Sequence, residues 1–168
     1  MDVAGLLRDL FDRVATDVHG AVEGLDLDGL THRVDGTANS ISWLVWHLTR
    51  VQDDHVAEVA GTEQVWTADG WARRFGLPFD DGAIGYGQGS DEVGAVRAGA
   101  DLLLGYHDAV HARTLQYVDG LVDADLDRVV DRRWDPPVTL GVRLVSVADD
   151  DLQHAGQAAF VRGVVERG

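Results

Sequence analysis

Four segments of the sequence carry apolar residues at spacings of three and four, the period of an amphipathic α-helix. Signals that start and stop helices flank these segments. The four predicted helices cover residues 3–24, Asn39 or Ser40 to Gly61, Ser90 or Asp91 to about Val118, and about Leu140 to about Val165. The predicted fold is therefore all-α, an up-down four-helix bundle in which residues 1–168 form a single domain.

The links between the predicted helices differ in character. Residues 62–89 are rich in glycine and aromatic residues and show little period beyond a short turn at GWARRF. A link of this length in a compact domain is usually a lid or a binding loop, and we expect its aromatic side chains to pack onto the core. The last link shows partial strand-like alternation in LDRVVDRRW, and Pro136-Pro137 blocks a helix there. Thr139 is the expected N-cap of the fourth helix.

Charge and residue content exclude several classes of function. The net charge is −15, and the 14 basic residues, all arginine, are scattered along the chain. Such a chain repels phosphate groups, which argues against nucleic acid and an anionic membrane as partners. No run of about 18 apolar residues is present, so we expect a cytoplasmic protein. The chain has no cysteine, so any thiol that takes part in its chemistry must come from a small molecule.

One face of the fourth predicted helix carries an acid and an imidazole one turn apart. Asp150 and His154 lie at i and i+4 on the apolar stripe, and Asp151 lies at its edge. Two side chains at this spacing can reach one cation. A buried carboxylate is costly without a partner, so the pattern predicts either a hydrogen-bonded Asp–His pair or a metal site.

The second predicted helix offers a third ligand. In SWLVWHLTRVQDDHV, His47 lies within half a turn of the apolar stripe, and His55, two turns later, is its alternative. We interpret Asp53 and Asp54 as a solvated helix face, with a role in orienting a histidine as the alternative.

The histidine of WHL with its following acidic cluster, together with the final-helix pattern x-x-H-x-G-Q, resembles the DinB/YfiT-like superfamily of four-helix bundles. That superfamily includes the mycothiol-dependent maleylpyruvate isomerases. The resemblance implies that His47, Asp150 and His154 bind a divalent metal, zinc in the first place, with nickel, iron or manganese as alternatives. Most members have His, and some thiol-dependent members Glu, where this chain has Asp150. Asp151 therefore remains an alternative ligand.

The resemblance also implies an activity. Thiol-dependent members use the metal to bind and deprotonate a low-molecular-weight thiol such as mycothiol, whose thiolate attacks a small electrophile. We therefore expect a metal-dependent thiol transferase or isomerase acting on a small molecule, with metal-bound water or thiol as the reactive group. Two alternatives stay open: a non-catalytic metal-binding or dimerising module, with a homodimer as partner, and a metal-dependent hydrolase.

Other residues have weaker functional interpretations. Arg50 and Arg143 could clamp an acidic substrate, and Gln157 could reach the site or the cofactor, although nearby carboxylates or a neighbouring helix explain these residues equally well. His107 and His111 have the spacing of a zinc pair, but we favour a surface or half-buried pair without metal.

Overall fold

The computed structural model describes residues 1–168 and consists of eight helices with one small antiparallel ribbon. The helices are α1 (Val3–Val22), α2 (Leu27–Leu30), α3 (Ile41–Ala60), α4 (Val65–Ala68), α5 (Trp71–Phe75), α6 (Ser90–Ala95), α7 (Ala100–Val118) and α8 (Leu140–Val165). Single 3₁₀ turns cover Val34–Gly36 and Asp123–Asp127, and strands β1 (Val129–Asp131) and β2 (Val138–Thr139) pair before α8. The predicted all-α helical bundle is confirmed. None of the helices combines the length and the apolar composition needed to cross a membrane.

Side-chain caps begin three of the four long helices. The side chains of Asp2, Ser40 and Thr139 each accept a hydrogen bond from a backbone N–H three residues later. These bonds satisfy donors that the first turn of a helix leaves unpaired. The predicted N-cap at Thr139 is thus confirmed, and Ser40 is the cap of α3.

The third predicted helix is interrupted, so the prediction of one continuous helix from Ser90 to Val118 is wrong between α6 and α7. Val96 has extended backbone angles, and Gly99 is the N-cap of α7. The interruption is held by α3, because the hydroxyl of Ser42 accepts a hydrogen bond from the N–H of Ala98 at 2.8 Å. A tertiary contact of this kind leaves no trace in apolar periodicity.

Polar contacts fix the relative directions of the four long helices. Between α1 and α7, Arg8 contacts Asp119 and His19 contacts Asp108. Between α8 and α3, Arg143 contacts Glu58 and Asp150 contacts His47. Between α3 and α7, Ser42 contacts Ala98 just before α7 and Gln52 contacts Thr114 within it. Helix α1 is therefore antiparallel to α7, and α8 to α3, while α3 and α7 run parallel. The order of directions is up, down, down, up. This order differs from the alternating directions of the predicted up-down bundle, because residues 61–99 carry the chain back to the starting end of α3.

Helix α3 occupies the centre of the fold. Every residue from Ile41 to Asp53 is buried, because α7 and α8 cover two sides and the long link covers a third. Most aromatic side chains of the link pack onto the core as predicted: Trp66 contacts Tyr106 with ring centroids 5.1 Å apart, and Phe79 contacts Trp46 at 5.9 Å. The prediction is wrong for Tyr86, which is 64% exposed. The predicted turn at GWARRF is α5.

Asp53 corrects one sequence interpretation. Its carboxylate is buried and accepts hydrogen bonds from the backbone N–H groups of Val65 and Trp66 and from the hydroxyl of Tyr106, all between 2.8 and 2.9 Å. The prediction of a solvated helix face is therefore wrong for Asp53, which anchors the start of α4 to α3. The donors come from the link and from α7, which helical periodicity cannot place.

The burial of His107 predicts how stability depends on pH. His107 is fully buried on α7, neither ring nitrogen has a hydrogen-bond partner, and burial lowers its pKa from 6.5 to about 4. As pH falls below 6.5, His107 becomes protonated in the unfolded chain but not in the folded protein. The free energy of unfolding therefore decreases until the pH reaches about 4. At pH 5 the loss from this residue is about 2 kcal/mol. The variant His107→Leu is expected to lack this loss in urea unfolding at pH 7 and pH 5.

The exposed His32 supplies the matched control. His32→Leu is expected to lose as much stability between pH 7 and pH 5 as the unsubstituted protein. An equal loss in the His107→Leu variant would show that another group causes the acid dependence.

Candidate metal centre

The antiparallel contact between α3 and α8 brings His47, Asp150 and His154 together. The Oδ1 atom of Asp150 lies 3.9 Å from Nε2 of His47 and 3.6 Å from Nε2 of His154. One ligand atom from each residue lies within 4.8 Å of the other two, so this group could hold a metal ion. The sequence predicted these three residues, and the structure places them side by side.

The three groups do not satisfy one another. Separations of 3.6 and 3.9 Å are too long for hydrogen bonds. Oδ2 of Asp150 is buried and has no partner. Two ligands about 2.1 Å from one tetrahedral cation lie roughly 3.4 Å apart, so an inward movement of the side chains would let all three bind the same cation. Orphaned acceptors at this spacing fit a cation better than a closed Asp–His hydrogen-bonded pair.

The surroundings of His47 prepare one of its nitrogens as a ligand. Nδ1 donates a short hydrogen bond to the backbone carbonyl of Ile84, which leaves the lone pair of Nε2 directed at the other two ligands. The ring stacks on Trp43 with centroids 4.6 Å apart. Burial, the largest effect, lowers the pKa of His47. The imidazole is therefore neutral at pH 7, which is the form that can bind a metal.

His154 is oriented in a similar way from its own helix. Its Nδ1 lies 3.3 Å from Oε1 of Gln157, so the N–H at Nδ1 donates and Nε2 keeps a lone pair. Gln157 thus reaches the site through His154. His154 and Asp150 keep 18% and 19% of their side-chain surface exposed, whereas His47 keeps 3%. The group is accordingly open to solvent on the side of α8.

Residues 81–88 of the link position the Ile84 carbonyl. The sequence did not predict that this segment belongs to the site. The guanidinium of Arg50, one turn after His47, donates to the carbonyls of Asp81 and Ala83 at 3.4 and 3.2 Å. The indole N–H of Trp43, one turn before His47, donates to Oε1 of Gln88 at 2.7 Å. Residues on one face of α3 therefore hold this segment on both sides of His47. The only sequence signal was the density of glycine in GYGQGS.

Gly85 is required where this segment passes over the ring of His47. Its φ is +104°, and a Cβ at this position would overlap Nδ1 of His47. Any side chain here would clash with the imidazole and would also strain the backbone. The bare backbone of Gly85 is therefore what allows the Ile84 carbonyl to approach the ring.

The alternative ligands lie outside the group. Asp151 is fully buried without a partner, and its pKa is raised well above the usual value, first by burial and then by the nearby charge of Asp150. Nδ1 of His55 accepts a hydrogen bond from Arg143 at 3.0 Å. The structure thus brings Asp150 and His47, and not these alternatives, next to His154.

The two candidate arginine clamps are already paired inside the protein. Arg50 is fully buried and also donates to Oε1 of Gln64 at 2.9 Å. Arg143 is buried and donates to Glu58 at 2.6 Å and to Asp131 at 3.3 Å. Their donors hold helices and the link together, and neither guanidinium is presented to the centre as a free cation.

The second histidine pair does not form a three-ligand group. The rings of His107 and His111 are parallel with centroids 6.2 Å apart. His111 faces Asp12 at 3.0 Å, while His107 lies fully inside the core. The predicted surface or half-buried position is confirmed for His111 and wrong for His107, because α7 is covered by its neighbours at that turn.

Two cavities border the residues that flank the metal-ligating group. The first, which we name the apolar cavity, has a volume of about 490 Å³ and is lined mainly by Val34, Leu44, Phe160 and Val161, with Gln153 and Gln157 on either side of His154. The second, which we name the ribbon groove, has a volume of about 560 Å³. It lies between α3, α8 and the ribbon, and Tyr86, Asp54, Glu58, Arg133, Trp134 and Arg143 line it. The group therefore has a largely apolar space near one side and a polar space near the other.

Comparison with known proteins extends over the whole bundle. A family model described as mycothiol-S-transferase matches residues 6–167. The crystal structure of a conserved protein from Enterococcus faecalis superposes with a TM-score of 0.92 and 29% sequence identity, covering 100% of this chain and 99% of that chain. None of the curated proteins matches the sequence. The family match includes both helices that carry the candidate ligands.

The close approach of Gly85 to His47 predicts the effect of a single methyl group. Gly85→Ala is expected to push the imidazole away from the Ile84 carbonyl and to lower the affinity for Zn²⁺ about 10- to 100-fold, the range for losing a group that orients a ligand. Competition with a chromogenic chelator measures this affinity.

Gly87 provides a matched control for backbone strain. It also has a positive φ, +73°, but a Cβ there would meet nothing within 4 Å. Gly87→Ala is expected to leave Zn²⁺ affinity close to that of the unsubstituted protein. Equal losses in both variants would show that strain in the segment, and not contact with His47, is responsible.

Proposed function

The chain belongs to the mycothiol-S-transferase family, and we propose that it is a metal-dependent enzyme that transfers mycothiol to a small electrophile. In this proposal His47, Asp150 and His154 hold the metal. The observation that carries it is the convergence of three potential ligand atoms within 4.8 Å of one another, beside a carboxylate oxygen of Asp150 that is buried without a partner. Two imidazoles with one carboxylate form a donor set suited to a divalent transition metal, zinc in the first place.

A bound divalent cation would lower the pKa of a thiol that coordinates it, so that a thiolate forms at neutral pH. The chain has no cysteine, so the sulfur belongs to the cosubstrate. The overall reaction forms a bond between this sulfur and an electrophilic carbon, while the thiol proton and the leaving group depart. Three protein ligands leave at least one coordination position for the cosubstrate.

The residues of the chain position the ligands. The Ile84 carbonyl fixes the tautomer of His47, and the side chain of Gln157 does the same for His154. Arg50 acts as a positioning residue, because it holds the link carbonyls that lie next to Ile84. The stacked indole of Trp43 restricts rotation of His47 and excludes water from its buried face.

The apolar cavity is where we place the electrophile. Its walls are mainly aliphatic and aromatic side chains, and its volume of about 490 Å³ falls in the range of small-molecule sites. Gln153 and Gln157, which flank His154, line its end nearest the candidate ligands. An apolar electrophile bound there would present its reactive carbon near the sulfur.

Loss of one ligand is expected to remove both metal binding and turnover. Zn²⁺ at about 100 times its Kd is expected to raise the melting temperature of the unsubstituted protein by roughly 5–10 °C. His154→Ala is expected to show no such rise and no transfer of mycothiol to an electrophile such as monobromobimane above the uncatalysed rate. Differential scanning fluorimetry and a fluorescence assay of the bimane adduct provide the two measurements.

His32→Ala, a substitution at an exposed histidine, is the control and is expected to behave like the unsubstituted protein in both assays. Full metal occupancy in His154→Ala would refute the ligand assignment. Turnover of esters or amides without added thiol would instead support a metal-dependent hydrolase.

Two neighbouring acids are expected to respond differently to the same substitution. Asp150→Asn removes the charge that would face the metal and is expected to lower Zn²⁺ affinity by more than about tenfold. Asp151→Asn replaces a buried side chain that lies outside the group with one of the same shape, so Zn²⁺ affinity is expected to stay within about twofold. The reverse pattern in chelator competition would assign the ligand to Asp151.

A further inference from the structure

The ribbon groove comes close to the candidate metal centre at Tyr86. This side chain lines the groove and packs edge-on against His47, with ring centroids 5.4 Å apart. On α8, Ser146 lines the groove one turn before Asp150. Tyr86 and Ser146 are therefore the residues at which the groove adjoins the candidate metal centre.

The length of the groove suits an extended ligand. Asp150 and Arg143 are seven residues apart on α8, a separation of about 10 Å at the rise of an α-helix. Along α3, His47 and Glu58 are eleven residues apart, or about 16 Å. The groove is therefore long enough to hold one to two six-membered rings of a ligand whose other end is bound at the centre.

The carboxylates that line the groove outnumber its guanidinium groups. Arg143 is paired with Glu58 and Asp131, and Arg133 donates to both oxygens of Asp131 at 3.0 and 2.9 Å. Asp54 adds a further carboxylate. The groove thus has no excess of positive charge to attract an anion. It offers fixed donors and acceptors to an uncharged polar ligand.

Two large aromatic side chains are exposed beside these charges. Tyr86 from the link is 64% exposed, and Trp134 from the turn between β1 and β2 is 66% exposed. Exposed aromatic groups next to a polar cavity commonly mark a binding site, because their faces stack on the C–H surfaces of a ligand. Aromatic faces combined with carboxylate and guanidinium groups are the chemistry that recognises a sugar or a polyol.

We propose that the ribbon groove is a subsite for the uncharged, polyhydroxylated part of the thiol cosubstrate, with Trp134 and Tyr86 as stacking residues. This inference rests on the proposed function, because mycothiol links a cysteine derivative to an amino sugar and an inositol ring. The sulfur would lie at the centre, and the amino sugar and inositol would follow α3 and α8 toward the ribbon.

Binding of a thiol-free probe tests the subsite independently of turnover. The probe is N-acetylglucosaminyl-inositol, which lacks the cysteine part, and calorimetry with the zinc-loaded protein measures its affinity. Trp134→Ala is expected to weaken binding of the probe about three- to tenfold, the range for losing one stacking contact. Trp134→Phe is expected to retain most of the affinity. Val145→Ala, at a residue of similar exposure (67%) outside the groove, is the control and is expected to change nothing.

The kinetics separate this inference from the proposed function. Trp134→Ala is expected to raise the KM for mycothiol by the same factor at unchanged kcat, and to leave reaction with N-acetylcysteine unaltered. Normal mycothiol turnover with unchanged probe affinity in Trp134→Ala and Tyr86→Ala would overturn the subsite and leave the proposed function standing. Absence of turnover with any thiol, alongside weaker probe binding in Trp134→Ala, would overturn the function and keep the subsite.

Discussion

The antiparallel contact between α3 and α8 is the constraint on which the site depends. It places the carboxylate of Asp150 and two imidazoles within 4.8 Å of one another, and it leaves Oδ2 of Asp150 buried without a partner. Unpaired polar groups in a protein interior are unfavourable by several kcal/mol. The rest of the bundle must therefore hold these groups in place. Two contacts fix the register between α3 and α8. Asp150 lies opposite His47, while Arg143, two turns away, is paired with Glu58.

The topology of the bundle explains why the site also depends on the link. Because α7 runs parallel to α3, residues 61–99 must return the chain to the starting end of α3, and they do so across the face that carries His47. Arg50 secures this crossing through link carbonyls, and Asp53 secures it through α4. The same crossing brings the Ile84 carbonyl to His47 and places Tyr86 in the ribbon groove. The segment that closes the fold therefore completes the surroundings of the candidate ligands.

The sequence predicted what depends on local periodicity and on short motifs. Apolar spacing located the four long helices, and the i, i+4 pattern with the family resemblance located Asp150, His154 and His47. It could not predict the break before α7, where the hydroxyl of Ser42 accepts a hydrogen bond from the N–H of Ala98. The role of residues 81–88 and the parallel direction of α7 were missed for a related reason: both depend on where a long link without period crosses the bundle, and no spacing within the link records that path.

The number of ligands and their exposure favour a reactive centre over a structural one. A structural zinc site is usually closed by four protein ligands, whereas here three converge and no fourth joins the group. The deepest candidate ligand, His47, is fixed by the link, while Asp150 and His154 keep part of their surface open. His47 faces the core, and the two more exposed candidates lie between the apolar cavity and the ribbon groove. A centre anchored on its buried side and open near two chemically different cavities has the geometry for bringing two different molecules together.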